Sequence, residues 1–286
     1  MRCSRLLRVE GAWLDSGRRR GYARRGLRDT TALVKAIIIG AGRGSRLRHL
    51  TDEIPKTLVP ILGRPMLDSI LDALAAGGFE RKDVIFICGY RNEVIRERYP
   101  DLQYVENRGW EHNNILASLL CAREHLAEGF VSTYADIVYR PAIVADLMKS
   151  EHDLTLACDT AWRRRYIGRS QHPETDAEKL RAEGSRVVEI SRRIESEEAA
   201  GEFIGVMKAS PKGAAHLIAA FDAAKAQWAG QVFREGRTFE KAYLLDLLQS
   251  MIEGGEEMHR VDTDGGYMEI DTIQDAELSE SWWSAR

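Results

Sequence analysis

The sequence predicts an α/β fold in which a doubly wound, mostly parallel but mixed sheet carries helices on both faces. A buried strand at residues 34–39 runs into a glycine-rich loop, and further apolar runs alternate with amphipathic segments along the chain. This alternation is typical of a sheet covered by helices. With 286 residues, 44% of them hydrophobic and 30% charged, the chain can bury a substantial core.

The first 33 residues differ in composition from the rest. They carry nine Arg against three acidic residues, so residues 34–286 carry a net charge of about -9. We interpret residues 1–33 as a disordered Arg-rich extension or a translation start assigned too early, and residues 34–286 as the folded domain. The acidic domain disfavours nucleic-acid binding through the basic arm. The absence of a long apolar run predicts no membrane span, and the four scattered Cys favour the reducing cytoplasm.

The loop after the first strand predicts a nucleoside-triphosphate site. Glycines let the backbone bend sharply and approach a ligand, and loop amides before a helix start can hold phosphate oxygens. Two nearby cations, Arg46 and Lys56, add positive charge. The predicted phosphate-binding and catalytic set is Gly40, Ala41, Gly42, Gly44, Arg46 and Lys56.

Two common phosphate loops are excluded here. A Walker loop ends in Gly-Lys-Ser/Thr, whereas this one ends in Gly44-Ser45-Arg46, and a dinucleotide fingerprint requires glycine where Ser45 stands. A tight strand-to-helix turn without a ligand is the alternative interpretation of the loop.

The pattern Gly-Ala-Gly-x-Gly-x-Arg-Leu, followed by Pro55-Lys56, resembles the nucleotidyltransferases that make sugar nucleotides and CDP-activated head groups. The resemblance extends from Val34 to the C-terminus and is closest to the bacterial phosphocholine cytidylyltransferase branch. It implies a Rossmann-like fold of the GT-A type.

The elements after the loop continue the alternation. Helices are predicted at residues 67–76 and 92–98, and strands at residues 84–88 and 102–106. In such sheets ligands gather beyond the carboxyl ends of the strands. Gly89 and Tyr90, which follow the second strand, are therefore predicted to join the nucleotide site.

Asn113 and Asn114 precede a predicted helix that contains Ser118 and runs to His125. An Asn can cap a helix start, or it can hydrogen-bond a nucleobase edge. An Asn-Asn pair before a Ser-Leu helix resembles the phosphocholine branch rather than the sugar-nucleotide enzymes. The resemblance therefore implies that Asn113, Asn114 and Ser118 bind a cytidine nucleotide.

Asp136 ends a predicted strand at residues 129–138, where an aspartate can also simply cap or turn. The segment matches the metal-binding aspartate of the family, so the resemblance implies Asp136 as one Mg²⁺ ligand. The ending Glu269-Ile270-Asp271-Thr272 resembles the same branch and implies Asp271 as the second. Mg²⁺ prefers hard oxygen ligands, and one or two carboxylates suffice.

A predicted strand at residues 153–158 leads to Trp162, Arg163 and Tyr166, and residues 170–182 are predicted to form a polar loop with little order. The Arg run is either a solvated face or a contact for an anionic substrate. The phosphocholine enzyme has an aromatic cage for its ammonium group, to which Trp162 and Tyr166 could contribute. Where that family has Tyr-Trp-Asp, this chain has Leu244-Leu245-Asp246.

Further substrate contacts are implied by two later strands. Relatives place a lysine near Arg192 and Arg193 that holds the phosphate of the acceptor. Glu202 either pairs with an ammonium group or caps a strand edge. Residues 214–228 and 239–252 are predicted to be amphipathic helices of the core.

The sequence thus predicts a Mg²⁺-dependent cytidylyltransferase that transfers CMP from CTP to a small phosphorylated or phosphonate acceptor. The acceptor could be phosphocholine, a phosphonate, or a phosphorylated amino acid or polyol. A sugar-1-phosphate nucleotidyltransferase using UTP or dTTP, and a non-catalytic nucleotide-binding regulator, are the alternatives. Trp282-Trp283 in the terminal helix suggests a homodimer.

Overall fold

The structure is a computed structural model, and it describes residues 34–235 and 237–284. The predicted extension, residues 1–33, lies outside the described residues. Among the helices of the described part, none combines the length and the apolar character needed to cross a membrane.

The strands are short and mostly buried. Ala36, Ile37 and Ile38 in the first strand have no exposed surface, as expected for an apolar run in the middle of a sheet. The strands are β1 (Lys35–Ile39), β2 (Pro60–Ile61), β3 (Arg64–Pro65), β4 (Val84–Cys88), β5 (Gln103–Glu106), β6 (Phe130–Tyr134), β7 (Ile137–Tyr139), β8 (Leu154–Asp159), β9 (Lys179–Glu183), β10 (Arg186–Ile190), β11 (Gly201–Ala209), β12 (Val232–Phe233), β13 (Arg237–Thr238), β14 (Met258–Thr263) and β15 (Tyr267–Glu269).

Within the described residues, the largest sheet has nine strands in the order β5-β4-β1-β6-β11-β8-β14-β10-β9. The strands from β5 to β6 are parallel, whereas β11 is antiparallel to both of its neighbours. Strand β9 also pairs with the first residues of β11, so this side of the sheet closes on itself. The predicted mixed α/β sheet is confirmed: its strands are parallel from β5 to β6 and again between β8 and β14, and the other described pairs are antiparallel.

The helices follow the predicted spacing of apolar residues. In the first helix, Leu67, Ile70 and Leu74 are buried at intervals of three and four residues. The first helix packs on the fourth, and the fifth packs on the sixth, so helices cover the sheet in separate layers. The helices are α1 (Met66–Ala76), α2 (Asn92–Arg98), α3 (Ile115–Cys121), α4 (Pro141–Met148), α5 (Pro211–Trp228), α6 (Leu244–Glu253) and α7 (Ile273–Ser284).

The segment 170–182 is more ordered than the sequence predicts. Its last residues form β9, and His172 within it is only 2% exposed. The polar composition was a poor guide because His172 and Glu178 are buried by contacts with distant parts of the chain.

Candidate active site

Gly40 follows β1 at a point where neighbouring side chains leave no room for a Cβ. A Cβ built there would lie 2.4 Å from Phe86 Cζ and 2.8 Å from Ala135 Cβ. The Gly40 N–H donates to the carbonyl of Ile87 at 3.0 Å, which continues the pairing of β1 with β4. The loop therefore leaves the sheet at its carboxyl edge, where a ligand can approach the backbone.

Gly44 brings the loop against Lys56. Its φ is +70°, in the left-handed region that favours glycine, and a Cβ there would lie 2.6 Å from Lys56 Cδ. A short 3-10 helix, Ser45–Thr51, follows and carries Arg46. The same glycine thus turns the chain and leaves space for the lysine stem.

Lys56 joins the two carboxylates that were predicted to bind metal. Its Nζ donates to Asp136 Oδ2 at 2.7 Å and to Asp271 Oδ1, and Arg46 Nη2 donates to Asp271 Oδ2. Burial alone would lower the pKa of Lys56, but the two carboxylates outweigh it and raise that pKa above its ordinary value. Burial would raise the pKa of Asp271, whereas the Lys56 and Arg46 charges bring it below its usual value.

The backbone explains why residues so distant in sequence meet. Strand β7 pairs antiparallel with β15, with Ile137 opposite Glu269. Next to this pair, the N–H of Ile270, which follows β15, donates to the carbonyl of Asp136, which precedes β7, at 2.9 Å. This register carries Asp136 and Asp271 to the same edge.

The glycine loop and the carboxylates line one cavity of about 290 Å³, which we call the loop cavity. It contains most of the predicted nucleotide-binding residues. Its lining consists of Ile39, Gly40, Ala41, Gly42, Gly44, Ser45, Arg46, Lys56, Thr57, Trp110, Asn113, Asn114, Ile115, Ser118, Ala135, Asp136 and Asp271.

Asn107 organises the amide side of the loop cavity. Its Nδ2 donates to Asn113 Oδ1 and to Ser118 Oγ, both at 2.8 Å, and Asn113 Nδ2 donates back to Asn107 Oδ1 at 2.9 Å. Asn114 Nδ2 donates to the carbonyl of Lys241 at 3.2 Å, and its side chain makes no cap to helix α3. The amides are therefore fixed at the cavity wall, where their remaining polar atoms can meet a base edge.

A second cavity, of about 360 Å³, adjoins the first, and we call it the aromatic cavity. It shares Arg46, Asn114, Ile115, Asp136 and Asp271 with the loop cavity. Its other lining residues are aromatic or charged: Tyr134, His172, Asp176, Glu178, Arg192, Glu202, Phe203, Arg237, Tyr243, Tyr267 and Glu269.

Two predicted substrate residues lie in the aromatic cavity. Glu202 is buried, accepts from Tyr166 Oη at 2.8 Å and pairs with Arg165. The Arg192 guanidinium lies 3.8 Å from the centroid of the Tyr243 ring and 3.7 Å from Glu178 Oε1. The cavity thus offers both cationic and anionic contacts.

Residues 36–182 match the model of the MobA-like NTP transferase domain family. The chain belongs to this family. It is therefore a nucleotidyltransferase, as the resemblance of the glycine loop implies, and the alternative of a non-catalytic regulator is not supported.

Relatives extend the likeness over most of the transferase. The CTP:phosphoglutamine cytidylyltransferase of Campylobacter jejuni is 26% identical over 255 residues, which cover 86% of this chain and 98% of the relative. The 2-aminoethylphosphonate cytidylyltransferase of Lancefieldella rimae is 37% identical over 97 residues, covering 33% of this chain and 39% of the relative. The structure of the CTP:phosphocholine cytidylyltransferase from Streptococcus pneumoniae has a TM-score of 0.64 at 24% identity, covers 87% of this chain and 98% of its own, and supports the fold.

Gly89 and Tyr90 support the loop of the transferase from behind. Neither contributes to the loop cavity as formed by the described residues. The Tyr90 hydroxyl donates to the carbonyls of Thr51 and Asp52 at 2.9 and 2.8 Å, and its backbone N–H donates to Ala41 at 2.9 Å. Both residues lie at the strand end, as predicted. The hydrogen bonds of Tyr90 stabilise the loop, and the contact of both residues with a nucleotide stays a prediction.

Four predicted substrate residues do not line the aromatic cavity that the described chain forms. Trp162 and Tyr166 pack edge to face in a small buried cluster, with ring centroids 5.8 Å apart, and Tyr166 contacts two lining residues of the cavity, Glu202 and His172. Arg163 pairs with Glu197 at 3.0 Å on the surface, and Arg193 is exposed. Both aromatic residues of the 3-10 helix Trp162–Tyr166 are buried and do not line the described aromatic cavity, so their contact with a substrate stays a prediction.

Several residues of the aromatic cavity carry little recognisable signal in the sequence. Tyr243, just before the two leucines of α6, supplies a ring that the Leu244-Leu245 pair does not. Burial raises the pKa of Glu178 to about 7, with Arg192 opposing the shift. Burial, together with the Asp271 and Asp136 charges, raises the pKa of Glu269 well above its usual value. The alternation of Glu269 with Asp271 along one strand was the only local signal for any of them.

We expect Gly44→Ala to lower nucleotidyl transfer about 100-fold, because the new Cβ displaces Lys56 by a fraction of an ångström to an ångström. The Gly63→Ala variant is a matched control, because Gly63 has φ +77° with nothing within 4 Å of its Cβ. It imposes the same backbone strain without touching the site. Equal loss in steady-state pyrophosphate release for the two variants would contradict the steric explanation.

Proposed function

We propose that this enzyme transfers CMP from CTP to a phosphate or phosphonate oxygen of a small acceptor and releases pyrophosphate. One observation carries the proposal. The loop cavity and the aromatic cavity meet at Asp136, Asp271 and Arg46, so two ligands can bind side by side with their reacting groups at one cluster of charges.

The choice of CTP is supported by two facts. The relatives that match along the chain include enzymes named for CTP, and the wall of the loop cavity carries the Asn113-Asn114 pair on which the cytidine prediction rests. The rival donors are UTP and dTTP, since a relative from Haloferax volcanii is a UTP–glucose-1-phosphate uridylyltransferase, 29% identical over 126 residues.

In the proposed reaction, an acceptor oxygen attacks the α-phosphorus of CTP in line, and the bond to the pyrophosphate oxygen breaks. The backbone amides of the glycine loop and Arg46 hold the β- and γ-phosphates. Lys56 neutralises charge that develops at the α-phosphate. These groups act by position and charge, so no covalent enzyme intermediate is needed.

Asp136 and Asp271 are the proposed Mg²⁺ ligands. Their oxygens already converge on one cation, the Lys56 ammonium, and two hard carboxylates are a donor set that suits Mg²⁺. When bound, Mg²⁺ would neutralise phosphate charge and orient the attacking oxygen.

The aromatic cavity is the proposed acceptor site. Tyrosine rings and the Glu178 carboxylate suit an ammonium group, and Arg192 and Arg237, which flank the Tyr243 ring at 3.8 and 4.6 Å, suit an anion. These contacts favour a zwitterionic phosphorylated or phosphonate head group over an uncharged sugar. The homodimer remains a prediction. Trp282 and Trp283, on which it rests, are partly buried against a core cluster of their own chain.

Pyrophosphate release from CTP, UTP, dTTP and ATP, each with a panel of acceptors, tests the proposal. The panel comprises phosphocholine, 2-aminoethylphosphonate, phosphorylated amino acids, a polyol phosphate and glucose 1-phosphate. We expect CTP to be preferred by at least about tenfold, the difference made by roughly one good hydrogen bond to a base edge. Highest activity with UTP or dTTP and glucose 1-phosphate would establish the rival function.

A further inference from the structure

His172 is a buried side chain of the aromatic cavity that the mechanism above does not use. It lies in the segment 170–182 and is only 2% exposed. Its ring packs edge to face against Tyr166, at 6.1 Å between centroids. The hydrogen-bond partners of the two imidazole nitrogens determine which nitrogen carries the proton and what the ring can bind.

Arg169 determines which nitrogen of His172 carries the proton. Arg169 Nη2 lies 2.6 Å from His172 Nδ1, and a guanidinium can only donate, so Nδ1 must accept. Arg169 is itself held by Asp275, whose Oδ1 accepts from Arg169 Nε at 2.9 Å. The other oxygen of Asp275 accepts from the backbone N–H groups of Asp271 and Thr272 at 2.9 and 2.8 Å.

The proton of the neutral imidazole is therefore on Nε2, at the edge that faces the cavity. The nearest acidic oxygens are Glu269 Oε2 at 3.5 Å and Asp176 Oδ2 at 4.0 Å, and both residues line the same cavity. Within the described part of the chain, Nε2 makes no hydrogen bond. Because His172 lines the aromatic cavity, an acceptor atom of a bound ligand can receive this N–H.

In this tautomer His172 cannot bind a metal ion, although it lies beside two carboxylates that could. His172, Glu269 and Asp271 offer ligand atoms that lie within 4.8 Å of one another. A metal requires a lone pair, but that of Nδ1 accepts from Arg169 and Nε2 carries a hydrogen.

We propose that His172, held as the neutral Nε2–H tautomer by the Asp275–Arg169 pair, donates a hydrogen bond to a phosphoryl oxygen of the acceptor. This inference rests on the proposed function of the aromatic cavity. An N–H donor cannot bind an ammonium group, so it must contact the anionic end. The ring lies at the reacting end, because Nδ1 is 3.8 Å from Asp271 Oδ2, at the carboxylate shared by both cavities.

Three substitutions of His172 distinguish the contribution of Nε2 from that of Nδ1. His172→Gln keeps an N–H donor near the Nε2 position. His172→Asn can place its amide oxygen near Arg169 but is too short to place a donor at the Nε2 position, and His172→Phe keeps an aromatic ring with neither group. We expect the KM for the acceptor to rise about tenfold in the Asn and Phe variants and clearly less in the Gln variant, since a single hydrogen bond is lost. The KM for CTP should change less than about threefold in each. His125→Asn, on a 3-10 helix outside both cavities, is the control.

A spectroscopic readout tests the tautomer without using activity. In ¹⁵N-histidine NMR of the full chain, the resonances lost in His172→Gln should show a protonated Nε2 and an unprotonated Nδ1, unchanged by Zn²⁺. A protonated Nδ1, a Zn²⁺-induced shift, or an Asn variant with the wild-type acceptor KM would overturn the proposal. If wild-type protein releases no pyrophosphate from CTP with any acceptor, the proposed function fails, while the NMR experiment still judges the placement of His172.

Discussion

Replacing Lys56 by methionine is expected to reduce kcat by about 1,000-fold, the effect typical of losing one preorganised charge at a developing oxyanion. Methionine keeps the unbranched stem that packs against Gly44 but removes the ammonium group. The ammonium lies between Asp136 and Asp271, where the α-phosphate must arrive. No other cation of the described site touches both carboxylates, so none can replace it.

The measurement is single-turnover CMP transfer, with circular dichroism and thermal unfolding to show that the variant folds. Lys35→Met is the matched control, because Lys35 pairs with Asp83 at 3.2 Å outside both cavities. The control should retain wild-type kcat. A folded Lys56→Met enzyme with kcat within tenfold of wild type would remove Lys56 from the mechanism.

Asp136→Asn is expected to lower kcat/KM by about 1,000-fold or more, since a neutral amide of the same shape cannot hold Mg²⁺ as a carboxylate does. Asp136 lies in the turn between β6 and β7 with its side chain 28% exposed. Its replacement therefore leaves the core intact, while Lys56 keeps Asp271 as a partner.

A titration of activity against Mg²⁺ distinguishes metal binding from a structural role. The Asp136→Asn variant should require a much higher Mg²⁺ concentration for its residual activity. Asp146→Asn, at an exposed position of α4 where the aspartate pairs with Lys149, should follow the wild-type curve. An Asp136→Asn enzyme with an unchanged Mg²⁺ dependence would refute the assignment.

The glycine loop and the nearby Lys56 were predicted from a local pattern, whereas Asp136 and Asp271 were implied by the family resemblance. Glycines after an apolar run, and acids at the ends of such runs, lie at the carboxyl edge of a sheet whatever the details of packing. The register of β7 with β15 then brings the acids together. The family resemblance implied the roles of these residues, and the strand register explains why Asp136 and Asp271 lie close together.

The aromatic cavity could not be predicted in the same way, because its residues come from segments with no shared period. His172 lies in a polar segment whose burial depends on Arg169 and Asp275, more than 100 positions apart. Trp162 and Arg163 were chosen for their chemistry, but the direction of a side chain on a short 3-10 helix depends on tertiary packing. Asn107 follows β5, and no sequence pattern links it to Asn113 and Ser118, with which its side chain forms hydrogen bonds.

The two cavities draw on different parts of the polypeptide. Apart from Asp271, the loop cavity is built from residues before position 137, whereas most of the aromatic cavity comes from residues after position 171. Substitutions in the later segments can therefore change the aromatic cavity and leave the loop cavity unaltered, as long as Asp271 is kept. A chimaera joined between α4 and β8 must therefore keep Asp271, because this residue lies in the later part of the chain and lines both cavities.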